Sequence, residues 1–149
     1  MDKVEFLILR NLLYNEEYVR KVLPFIKADY FEDYNQKVVF EEIAKFVGEY
    51  NEPATKEVLC IETEKRQDIN DTSFQEITKL ISYLEDDPSE FNWLVNTTEK
   101  WCRDRAIYLA LMESIQLADG KDEEKDRDAI PNILSDALAV SFDTHIGHD

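Results

Sequence analysis

Glycine and proline are scarce in this chain, at three and four residues among 149. Glycine serves backbone turns through positive φ and proline punctuates loops. Their rarity beside abundant Leu, Ile, Glu and Lys argues against a turn-rich β architecture and for helices. Cysteine is equally sparse: Cys60 and Cys102 stand far apart without motif spacing. A disulfide scaffold and a redox pair are therefore excluded as organising features, and both are expected as reduced cytosolic thiols. No apolar run approaches the roughly 20 residues of a membrane span. No basic-then-apolar signal segment opens the chain, so a cytosolic protein without membrane partners is expected. Positive charge is the scarcest of all, with 17 basic against 33 acidic residues and a net charge of −16. Nucleic-acid affinity comes largely from Lys and Arg displacing counterions, so this surface is a poor platform for DNA. It suits solubility and docking to a basic protein partner.

What remains is a one-domain length with 44% hydrophobic and 11% aromatic residues, enough for a core without metals or disulfides. Apolar spacing predicts a nearly enclosed helix over Lys3–Tyr14, then Asn15 as N-cap of a helix from Glu16 to Leu23 that Pro24 ends. Tyr30-Phe31 reads as an anchor pinning a short connection to the core. A third helix over Asn35–Glu49 would end around Gly48 and Asn51-Glu52-Pro53. Thr55 should cap a fourth, and Thr72 or Ser73 should start a fifth. The polar loop Asp68–Asp71 would lie between them, and Asp86-Asp87-Pro88 would close a helical head over residues 1–88. No strand pattern and no internal repeat occurs.

Beyond Pro88 a long helix is predicted from Glu90 to Ala118, apolar on more than one face in its second half. A charged tip over Asp119–Asp128 leads to a shorter helix with Pro131 at N1, carrying one stripe of Ile130, Ile133, Leu134, Ala137, Leu138 and Phe142. The fold class expected is thus all-α: a compact head followed by a long antiparallel helical hairpin over residues 89–143. One stripe cannot cover both faces of its partner. The residual surface either packs back on the head or self-associates. The side chains concerned are Trp101, Tyr108, Leu111, Met112 and Ile115 on the long helix, with Ile133, Leu134 and Leu138 on the short one. Trp93 and Trp101, eight residues apart, would share a helix face, as core or as an interface anchor. Lys100, Arg103 and Arg105 form a basic cluster that either pairs with Glu99 and Asp104 or makes an inter-subunit or single-stranded DNA contact.

Sites for chemistry are not found. No GxxxxGK[ST] phosphate loop is present, no Glu-x-x-His pair marks a di-metal bundle, and Cys102 has no His near it in sequence. His145, His148 and Asp149 could gather a metal, but a terminal tail of this kind is read as a solvated linker. The residues themselves point to a non-catalytic domain, with no cofactor and no metal of its own.

The block NLLYNEEYVRKVLPFIKADYFEDYNQKVVFEEI, with Trp93-Leu94 to Arg105 and the end SFDTHIGHD, resembles the N-terminal domain of the DnaB-like replicative DNA helicases, T-even-type phage branch. The chain departs from the cellular members at Gln36-Lys37, where they usually carry a His, and in lacking a Gly-Gly turn after the first helix. The resemblance implies a collar domain that pairs in dimers within a hexamer and contacts primase and a helicase loader. It also favours the self-association reading of the hairpin. Residues 144–149 would begin a linker to an absent ATPase domain, which would hold ATP and Mg and most of the contact with single-stranded DNA. The implied setting is the cytoplasm of an infected bacterial host. A free-standing acidic adaptor or DNA-mimic inhibitor is the alternative that the charge allows.

Overall fold

The computed structural model describes residues 2–120 and 126–142. They form seven α-helices and three short 3-10 turns, with no strand among the described residues. The expected all-α class is what the chain adopts. It divides into two compact units, Met1–Val95 and Asn96–Asp149.

In the first unit α1 (Lys3–Tyr14) starts at Asp2, whose side chain accepts the N–H groups of Val4 and Glu5. Asn15 ends α1 and caps α2 (Glu16–Val22), its side chain accepting from the Tyr18 N–H at 3.0 Å. Each such cap satisfies a backbone donor that the helix itself cannot, worth about 1 kcal/mol. The proline that stops α2 lies in a 3-10 turn over Leu23–Phe25. A second turn, Ala28–Tyr30, delivers buried Tyr30 and Phe31, and Phe31 stacks on Phe40 of α3 with ring centroids 5.1 Å apart. The aromatic pair therefore is the anchor that its position implied.

α3 (Tyr34–Tyr50) is the centre of this unit and packs against α1, α4 (Lys56–Glu64) and α5 (Asp71–Ser82). Its Val38, Val39 and Ile43 meet fully buried Ile8, Leu9 and Leu12 of α1 and Leu59, Ile77 and Ile81 of α4 and α5 as one core. Burying each such side chain contributes about 1.5–3 kcal/mol.

The helix boundaries fall within a residue or two of the sequence expectation. α3 runs through Gly48 and stops at Asn51, which takes the left-handed conformation at φ 55°. Asparagine tolerates that region better than other non-glycine residues. α5 is capped by Asn70, which accepts from the Ser73 N–H at 2.8 Å, so the helix begins ahead of Thr72 and takes Asp71 from the expected loop. The last helix, α7 (Ile130–Leu138), has Ile130 at its first position and Pro131 at its second, after a 3-10 turn over Arg127–Ala129.

Polar ties close the head at its edges. Arg66 clasps Asp68 (2.6 Å), Glu42 (3.0 Å) and Glu41 (3.1 Å), giving the buried Glu42 carboxylate its partner and holding the guanidinium strongly in its charged form. Tyr14 donates to the Leu84 carbonyl at 2.8 Å, and Lys56 donates to the Ser82 carbonyl and to Glu85, so the end of α5 is closed by side chains. Gln36 has no such tie. It is fully buried, and neither its amide nitrogen nor its amide oxygen has a partner. A buried amide left unpaired costs about 1–3 kcal/mol. Gln36→Leu should therefore raise stability by about 1 kcal/mol or more, read as a higher urea midpoint at unchanged slope. A lower midpoint would show that the amide is satisfied in solution.

Candidate functional site

α6 (Phe91–Ala118) begins at Glu90, whose carboxylate accepts the N–H groups of Asn92 and Trp93, both at 2.9 Å. Those bonds to the ionised form pull the Glu90 carboxyl below its usual range. α6 ends where Asp119 and Gly120 donate back to Ile115 and Leu117, Gly120 supplying φ 72°.

Within the second unit the chain turns back along α6. Arg127 donates to the Ala118 carbonyl at 3.2 Å, and Arg103 donates to the Val140 carbonyl at 3.0 Å. Glu99 Oε2 accepts from the Phe142 N–H at 2.8 Å and from the Ser141 hydroxyl at 3.2 Å. These contacts run from one end of α6 toward the other and set α7 antiparallel to it. Glu99 is the clamp, and nothing in the local sequence marks it, because its partners lie more than forty residues away. The charged tip expected at Asp119–Asp128 falls partly outside the described residues, as do His145, His148 and Asp149.

The distribution of side-chain size on α6 is the functional signal. Over its last turns the buried residues are Ala110, Ser114 and Leu117. Tyr108, Leu111, Met112 and Ile115 are spaced i, i+3, i+4 and i+7, and they are exposed at 48%, 48%, 43% and 54%. At about 100° per residue the two sets lie on nearly opposite sides. Over these last turns the helix keeps Ala110, Ser114 and Leu117 inside and shows four large apolar side chains on the other side. Arg105 lies 4.9 Å over the Tyr108 ring and borders this stripe with one positive charge.

On α7, Ile133 and Leu134 are half-buried, Ala137 is buried, and Leu138 is 64% exposed. Trp101 is only 8% exposed and offers a second molecule little surface, whereas Trp93 is 52% exposed. Of the basic cluster, Lys100 pairs with Asp104 at 3.0 Å, and Arg103 is held by Val140 with Glu99 3.8 Å away. That arrangement matches the ion-pair reading of the cluster.

A groove of about 330 Å³ has Val19, Leu23, Pro24, Val47 and Pro53 as its apolar lining. Its one basic residue, Arg20, is engaged by Glu16 at 2.6 Å and by Asn51 at 3.3 Å. Cys102 is fully buried and its thiol is pushed up to about 12, mainly by desolvation and further by Glu99. Cys60 is half-buried and its thiol is raised by burial alone. Neither has a histidine near it among the described residues, and neither is set up as a nucleophile.

No protein-family model matches the chain. It is 32% identical over 151 aligned positions to a DnaB-like replicative helicase of Enterobacteria phage T4. The alignment takes in 96% of this chain and 32% of that protein, so the chain spans about a third of the relative's length.

Thiol chemistry gives a direct check on this geometry. At pH 8 an alkylating reagent should modify Cys60 first and reach Cys102 only when the protein unfolds. Equal rates in the native protein would show that Cys102 is not enclosed. Replacing Glu99 with Ala should leave the Phe142 N–H without its acceptor and cost about 1–3 kcal/mol, measured by denaturant unfolding. An unchanged midpoint would mean that the clamp is not formed in solution.

Proposed function

We propose that this chain is the N-terminal collar and assembly domain of a phage replicative DNA helicase. In this reading it pairs with copies of itself through the outward stripe of α6, supports a hexameric ring and offers a docking surface to primase and to a helicase loader. The homology to a phage DnaB-like replicative helicase supports a helicase-related role in DNA replication. One observation carries the assembly role: Tyr108, Leu111, Met112 and Ile115 are exposed together on one helix face. Such a patch is costly to leave in water and is the usual mark of a surface that meets another protein.

The chain itself does no chemistry in this reading, since it has no phosphate loop. ATP and Mg belong to an ATPase domain of the parent protein, which unwinds duplex DNA at the fork in the cytoplasm of the infected host. Single-stranded DNA is engaged mainly by that domain, because 33 acidic side chains against 17 basic ones repel phosphate here. The same charge supports a second reading, a free-standing acidic adaptor, and the gene sequence beyond Asp149 distinguishes the two.

Sedimentation equilibrium tests the assembly role. The wild-type chain should reach a multiple of its monomer mass, and Leu111→Asp should hold it at the monomer. A carboxylate forced into an apolar contact loses hydration at a cost of several kcal/mol. Leu111 is already 48% exposed in the single chain, so the melting temperature of the variant monomer should barely change. A wild-type chain that stays monomeric at high concentration would contradict autonomous pairing. A variant that unfolds would show Leu111 to be core. The purified chain should also fail to hydrolyse ATP and should bind single strands weakly. Tight binding retained above about 200 mM salt would contradict that account of its charge.

A further inference from the structure

Three carboxylates converge where α1 begins. Asp2, Glu5 and Glu32 each place one oxygen within 4.8 Å of the others. Asp2 and Glu5 come from the cap and first turn of α1, and Glu32 from the segment that leads into α3. Part of this arrangement is structural. Asp2 Oδ1 accepts the N–H groups of Val4 (2.8 Å) and Glu5 (3.0 Å), and Glu5 Oε2 accepts the N–H of Glu32 at 3.0 Å.

The other Glu5 oxygen is different. Glu5 is fully buried, and its Oε1 has no hydrogen-bond partner. Among the described residues no Lys or Arg pairs with any of the three carboxylates. The carboxylate as a whole has backbone donors but no counter-charge, and a buried anion in that state is expensive, because the water it loses is only partly replaced. Burial pushes the Glu5 carboxyl above its ordinary range, the backbone N–H groups of Glu32 and Asp33 draw it back in part, and the charges of Asp2 and Glu32 add to the rise. The missing partner has a definite chemistry: it must be cationic, compact and content with oxygen ligands.

We propose that Asp2, Glu5 and Glu32 form a binding site for a hard divalent cation, with Ca²⁺ the best match. Calcium holds oxygens at about 2.3–2.6 Å, so two of its ligands can stand up to roughly 5 Å apart. Magnesium holds them at about 2.0–2.1 Å, needs a tighter ring and dehydrates reluctantly. Carboxylate-only donors exclude a preference for softer metals that seek sulfur or imidazole. With three protein ligands the remaining positions are filled by water. The ion would join the start of α1 to the segment that enters α3, and so staple the two helices at the centre of the head.

The test uses the whole 149-residue chain, titrated with calcium chloride by calorimetry and melted with and without the ion. Asp2→Asn keeps the helix cap, since asparagine caps as well as aspartate, but removes a ligand charge. Glu32→Gln changes an exposed side chain and leaves its backbone donor in place. The wild type should bind one ion per chain with a Kd of about 10⁻⁴–10⁻³ M, the range of weak oxygen-ligand sites, and should melt higher with calcium. Both variants should lose about tenfold or more in affinity while melting without calcium as the wild type does. Binding that survives in both variants would be a diffuse counterion of the acidic surface and would overturn the proposal. So would a wild type whose melting ignores calcium while Glu5→Gln melts higher at neutral pH. That pair of results would assign Glu5 to a protonated carboxyl.

Discussion

The second unit is governed by a mismatch between its two helices. α6 has 28 residues and is about 42 Å long, whereas α7 has nine and is about 14 Å long. A short helix with a single apolar stripe can cover only a fraction of a long neighbour. Over the last turns of α6 the buried positions are Ala110, Ser114 and Leu117, and four large apolar side chains are left about half exposed. Packing large residues inward and small residues outward would have served a monomer better, because buried area scales with side-chain size. The inverted choice makes sense when the outward face is itself an interior, completed by another molecule. The clamp at Glu99 then fixes the chain beyond α7 on the same helix and keeps α7 from drifting along it.

The head works under the opposite rule, with its interior complete within one chain. α3 is surrounded by α1, α4 and α5, and its Val38, Val39, Phe40 and Ile43 are buried, with Phe46 and Val47 half-buried toward its end. Charge is kept at the rim, where Arg66, Lys56 and Lys45 pair with carboxylates of neighbouring elements. Most of these pairs are solvent-exposed and add little stability individually; Arg66 with Glu42 is the partly buried one. Among the described residues Gln36, Glu5 and Thr63 are fully buried with side-chain atoms that lack a hydrogen-bond partner. Gln36 reads as a local cost and Glu5 as a site.

Where sequence reasoning succeeded, the signal was local and had a mechanism. Asn15 and Thr55 cap the helices that follow them, and Tyr30-Phe31 anchors the connection into α3. It failed where two local candidates were chemically equivalent. Asn70 outcompetes Thr72 and Ser73 as the residue that starts α5. It was blind to anything assembled from distant segments. Glu99 with Phe142, Arg66 with Glu41 and Glu42, and Glu5 with Glu32 cannot be inferred from spacing. The shared helix face of Trp93 and Trp101 shows the same limit, since one is exposed and the other buried. Periodicity places residues on a face without saying what that face meets.

The central claim is that the outward stripe of α6 becomes an interior when copies meet. Hydroxyl-radical footprinting read by mass spectrometry tests it without any substitution, because Tyr108 and Met112 are both readily oxidised. Comparing dilute with concentrated protein, the account predicts falling oxidation at Tyr108 and Met112, with Tyr83, which is 52% exposed at the end of α5, unchanged as the internal reference. Oxidation at Tyr108 and Met112 that does not change with concentration, or protection confined to Tyr83, would contradict it.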